Sequence, residues 1–162
     1  MKYRLLDKEE LVEMETEFIR FLATRSIPGE DWDKMKTTQP ERVNALLEEF
    51  SDLVFEKILV GVKFLEMKLP DDLKIFRCGI DKIELVGLSV EGAKEIDFTT
   101  DQSSADMMAQ FRKSGAQLKL YQAEKPYKGN RERELFAMLE AGCMISDGEL
   151  FSTLEGLRNV KQ

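Results

Sequence analysis

The sequence predicts an α+β protein: a three- or four-stranded antiparallel sheet with N-terminal and C-terminal helices packed on it. Three observations carry this. Apolar residues are densest from Phe50 to Val90, where strand-like runs at 60–67, 73–78 and 82–90 are separated by the turn sequences Pro70-Asp71-Asp72 and Gly79-Ile80-Asp81. Helical periodicity dominates before this stretch and after it. Helices, then a run of strands, then helices again is the order of segregated α+β layers, not of alternating strand and helix.

In chain order, Asp7 and Glu10 form a capping box, and apolar residues then fall at Leu11, Val12, Met14, Phe18, Ile19, Phe21 and Leu22. At 100° per residue these cover roughly half the helix circumference, wider than the stripe of an ordinary surface helix. Such a helix is either wedged between two layers or offers an edge, with Val12 and Ile19 on it, to another chain. Glu9, Glu13, Glu15 and Glu17 are read as its solvated face. Ser26-Ile27-Pro28-Gly29 breaks the chain. Glu30–Lys36 then suits a short helix whose Trp32 and Met35 share a face and pin it to the core. Pro40 opens a second long helix, where its missing amide costs nothing, with Val43, Leu46, Leu47, Phe50, Leu53, Val54 and Ile58 as the expected buried stripe.

After the three central strands, Glu91–Glu95 reads as a loop and Ile96-Asp97-Phe98 as a short edge strand. Residues 103–113 form a helix burying Met107, Met108 and Phe111 and closed at Ser114-Gly115. Gln117–Gln122 alternates with period two and is a fourth strand. A helix over about 131–141 buries Leu135, Phe136, Met138 and Leu139, and a second capping box, Ser146 with Glu149, opens a last amphipathic helix.

A chain of 162 residues, 43% hydrophobic and 34% charged, is read as one soluble domain spanning 1–162. No apolar run approaches a membrane span or a leader's core, so no membrane association is expected and the localisation expected is cytoplasmic. The net charge of −7 is concentrated early: residues 1–56 carry eight Lys and Arg against fourteen Asp and Glu. Phosphate neutralisation needs a basic face, so nucleic acid is not an expected partner.

Met1-Lys2-Tyr3-Arg4-Leu5, Phe18–Ala23, Phe50–Glu56 and Lys63-Phe64-Leu65-Glu66 resemble an uncharacterised family of small bacterial proteins, a domain of unknown function. The resemblance covers the N-terminal two thirds. It implies a bacterial source and supplies no activity, ligand or catalytic residue.

The chain contains no histidine, which removes Ser-His and Cys-His nucleophilic schemes and histidine metal ligation. Gly87–Lys94 departs from a phosphate loop at Ala93 and Glu95, and 97–108 departs from a calcium loop at Gln102 and Met108. No metal or cofactor is expected. Cys143 is either a buried small hydrophobe or a thiol activated by the amides of the last helix.

One segment opposes the overall charge. Lys125, Lys128, Arg131 and Arg133 fall close together around Tyr127, just before a helix start whose free amides attract anions. These five residues are the candidate ligand-binding set; the bland alternative is a solvated loop paired with acidic helices. The function expected is a protein-binding or self-associating module working through the first helix. The alternative is an enzyme or sensor that binds a phosphorylated small molecule at 125–133.

Overall fold

The computed structural model describes residues 1–92, 95–115 and 117–161. The chain divides into two compact units, Met1–Val60 and Gly61–Gln162.

The first unit is helical: α1 Lys8–Glu13, α2 Glu15–Thr24, α3 Gly29–Thr38 and α4 Pro40–Val60. The Asp7/Glu10 capping box forms as expected, with Glu10 N donating to Asp7 Oδ1 at 2.9 Å and Asp7 N to Glu10 Oε2 at 2.8 Å. The expected single long helix is two, broken at Met14 (φ −98°, ψ 18°). The two pieces answer to different partners: α1 buries none of its residues and is held by Arg4 on Glu10, whereas α2 buries Phe21 and Leu22.

The residues before α1 lie along α4. Lys2 N and Tyr3 N donate to the two carboxylate oxygens of Asp52 (2.7 and 2.9 Å), Tyr3 Oη and Lys2 Nζ to Glu56, and Leu6 N to Ser51 Oγ at 3.0 Å. Burial and the Glu56 carboxylate push the Tyr3 phenol up to about 12. Trp32 pins α3 as the sequence suggested, meeting Phe18 edge-on with centroids 5.1 Å apart, while Phe18 and Phe21 both pack on Phe50.

The second unit contains, among the described residues, a five-stranded antiparallel sheet, one strand more than the largest number expected. Its strands are β1 Phe64–Leu69, β2 Asp72–Cys78, β3 Lys82–Glu91, β4 Gln117–Pro126 and β5 Met144–Ser146, in the order β4-β3-β2-β1-β5. The first strand begins later than the sequence implied, because α4 runs on to Val60. The extra strand is β5, whose Ser146, Ile145 and Met144 pair with Phe64, Leu65 and Glu66. Ile96–Phe98 is not an edge strand; it is irregular chain with Phe98 fully buried, its amide on Pro70 O at 3.2 Å and its ring against Phe111.

One sheet face carries the core: Leu73, Ile75, Val86, Leu88 and Val90 meet Met107 and Phe111 of α5 (Ser104–Ser114) and Phe151 and Leu154 of α7 (Glu149–Lys161). Ser103 caps α5 by accepting from Asp106 N, and Gly115 closes it in the left-handed region. The expected Ser146/Glu149 box does not form. Ser146 ends β5 with its hydroxyl accepting from Gly148 N, and Asp147 accepts from Glu149 N at the helix start. Helix α6, Arg131–Glu140, is capped by Asn130 and buries Leu135 completely.

Candidate interaction surface

The basic segment 125–133 forms a clasp around the β2–β3 turn. Tyr127 Oη donates to Gly79 O at 2.9 Å, and Tyr127 N approaches Asp81 O at 3.4 Å. Arg131, at the start of α6, spreads its guanidinium over three main-chain carbonyls: Nε to Gly79 O (2.9 Å), and Nη2 to Val62 O (2.5 Å) and Cys78 O (3.1 Å). Its Nη1 also lies 3.2 Å from Glu132 Oε1. From the other side Glu134 accepts the amides of Lys128 and Gly129, so a carboxylate of the same helix occupies amides that an anion would use. Of the five candidate residues, Tyr127 and Arg131 converge on one carbonyl, whereas Lys125, Lys128 and Arg133 are exposed.

Cys78 and Cys143 are both buried free thiols. Burial pushes Cys78 up to about 11 and raises Cys143 as well, which gives both the character of small hydrophobic groups. The Asp97 carboxylate accepts from the backbone and hydroxyl of Thr99, an Asx turn that holds it below its usual range. Ala93 and Lys94 of the glycine-containing stretch lie outside the described residues; Gly87 stands inside β3. Among the described residues no group of three or more Cys, Asp or Glu is placed to hold a metal ion, and no helix is long and apolar enough to cross a membrane.

The helical unit carries apolar surface that periodicity had assigned to the core. Leu53 is 53% exposed and Ile58 43% exposed; Phe55 and Leu59 take the buried places on α4 instead. Leu53 and Ile58 join Met14, Phe21, Phe50 and Val54 in a groove of about 560 Å³ between α2 and α4. On the other side of α2, Phe18, Ile19 and Leu22 face Ile27 and Trp32 across a second groove, of about 620 Å³, toward α3. Helix α2 is thus a ridge between two apolar troughs, with Ile19 58% exposed on it.

The rim of the α2–α4 groove is Glu17, Arg20 and Lys57, which form no ion pair among the described residues. A patch with both signs of charge around an apolar floor can be complementary to itself. The missed residues, Leu53 and Ile58, left a trace in the sequence. Together with Phe50, Val54, Phe55 and Leu59 they make α4 apolar over more of its circumference than one covering layer requires.

Comparison with curated proteins and with solved structures returns no match. The match to a family model runs from residue 1 to residue 159, through both units and well past the N-terminal two thirds in which the resemblance was legible, and the chain belongs to that family, the family of unknown function DUF6495.

Proposed function

We propose that the protein is a self-associating binding module of the bacterial cytoplasm, acting without chemistry of its own, in which α2 of one copy lies along the α2–α4 groove of another. The observation that carries this reading is the exposure of Leu53 and Ile58 on the floor of that groove beside the ridge bearing Ile19. Ridge-into-groove seating is the ordinary way helices pack, and a two-fold contact places Glu17 of each copy opposite Arg20 or Lys57 of the other. The two buried reduced thiols suit a cytoplasmic setting.

Sedimentation equilibrium tests the proposal. Wild type is expected to be a dimer at tens of micromolar, and Leu53→Glu and Ile19→Glu are each expected to give a monomer with an unchanged far-UV circular dichroism spectrum. A wild-type monomer at high micromolar concentration overturns it. The alternative, an enzyme or sensor taking a phosphorylated small molecule at 125–133, keeps the outward cations Lys125, Lys128 and Arg133 as its support.

A further inference from the structure

On the core-bearing face of the sheet, Arg77, Glu84 and Glu124 form one cross-strand row, and Ile75, Val86 and Gln122 form the next. Helix α7 crosses these rows, and the space left between them is a polar cleft of about 310 Å³ that Phe151, Glu155 and Arg158 complete. This is within the size range of small-molecule sites.

Most of the charges here are already matched. Arg77 Nε donates to Glu84 at 2.5 Å, and its guanidinium lies over the Phe151 ring, 4.8 Å from the centroid. Glu124 takes Lys82 at 2.9 Å. Three groups then form no side-chain hydrogen bond or ion pair among the described residues: the Arg158 guanidinium, the Gln122 amide and the Glu155 carboxylate, the last of which lies close enough to Arg77 to favour its charged form. Arg158 Nε is shielded from solvent and has no hydrogen-bond partner among the described residues. A buried donor left unmade costs about 1–3 kcal/mol, so such a group is normally retained with a partner.

We propose that this cleft binds a small zwitterion of the free amino acid type, its carboxylate taken by Arg158 and Gln122 and its ammonium by Glu155. A cation and an anion that are each outside any ion pair, with an amide, form a dipolar set. A phosphorylated ligand fits it poorly, because a dianion would face three carboxylates with one unmatched guanidinium.

The cleft shares no lining residue with the α2 grooves, so its test does not depend on self-association. The test is a titration of uniformly 15N-labelled protein with the common free L-amino acids, read at the backbone amides of Gln122, Phe151 and Glu155. At least one amino acid is expected to shift these amides saturably, and its N-acetyl and methyl ester derivatives are expected to fail. Arg158→Gln and Glu155→Gln, both on the cleft side of α7, should each weaken binding at least about tenfold, the size of one lost charge-assisted contact. The proposal is overturned if no amino acid moves these amides, if the N-acetyl derivative binds as well as the parent, or if Arg158→Gln binds undiminished.

Discussion

Tyr121 of β4 lies across Gly87 of β3, its directly paired residue, so closely that a Cβ on Gly87 would stand 2.0 Å from the ring carbon bearing the hydroxyl. The ring can therefore pass over β3 and reach β2, where its hydroxyl donates to Asp72 Oδ1 at 2.5 Å and Asp72 also pairs with Lys74. A glycine in a central strand is ordinarily a weakness, and here an aromatic side chain on the neighbouring strand fills the gap it leaves.

Gly87→Ala is accordingly expected to destabilise the protein by about 1–3 kcal/mol, the cost of forcing an extra carbon into a packed site. Chemical denaturation measures it. The same substitution in a Tyr121→Ala background should cost clearly less, since the nearest atoms the new carbon meets all belong to that ring; equal costs in both backgrounds would assign the loss to the backbone.

Arg131 is a structural residue at the junction of α6 and β2. Removing it leaves Val62 O, Cys78 O and Gly79 O without a charged donor, and Arg131→Ala is expected to cost at least about 2 kcal/mol. Arg131→Lys should recover little, because a single ammonium cannot reproduce a fork that reaches three carbonyls. Thermal unfolding of the two variants beside Lys128→Ala, whose side chain is exposed, checks the contrast.

Ser51 is 1% exposed, and its hydroxyl accepts the amide of Leu6. Ser51→Ala leaves that amide buried and unmatched, with an expected loss of about 1–3 kcal/mol. Hydrogen exchange at Leu6 should accelerate by more than global destabilisation alone produces, which distinguishes local release of the N-terminal residues from uniform weakening.

Glu10 is held down to about 2 by the Arg4 guanidinium and by the amide of Asp7, from an ordinary value of 4.5. A carboxyl depressed in the folded state contributes stability above its unfolded value, and that contribution is lost as pH falls from about 4.5 toward 2. Carbon-detected NMR titration of the Glu10 side chain should give a midpoint near the lower figure. Arg4→Gln should move it back toward the ordinary range, and no movement would remove Arg4 as the main cause.

The readable parts of this fold were those specified by local chemistry. The Asp7/Glu10 box, Pro40 at a helix start, the three central strands and the Ser103 and Gly115 caps all declare themselves within a few residues. Strand β5 did not, because three residues show no periodicity and Met144–Ser146 is a strand only by pairing with β1. Ile96–Phe98 misled in the opposite sense: alternation signals burial on one side, and Phe98 is buried without a ladder. The basic cluster was visible, but the use of Arg131 was not, since main-chain carbonyls are present everywhere and leave no mark in a sequence. Leu53 and Ile58 matched the helical period and were assigned to the core; only the packing of α4 shows which part of a broad apolar arc stays uncovered.

The position of β5 also bears on the order in which contacts form. Strands β1, β2 and β3 are joined by tight turns, so their meander needs little chain closure, whereas β5 returns to β1 only after about 80 intervening residues have been brought round. The outer edge of β1 is therefore bare for as long as β5 is absent, both during synthesis on the ribosome and in any fragment ending before Met144. Such an exposed edge is a template for pairing between chains. Met144–Ser146 is the last strand to be made, buries little apolar surface and covers only the Phe64–Glu66 half of that edge.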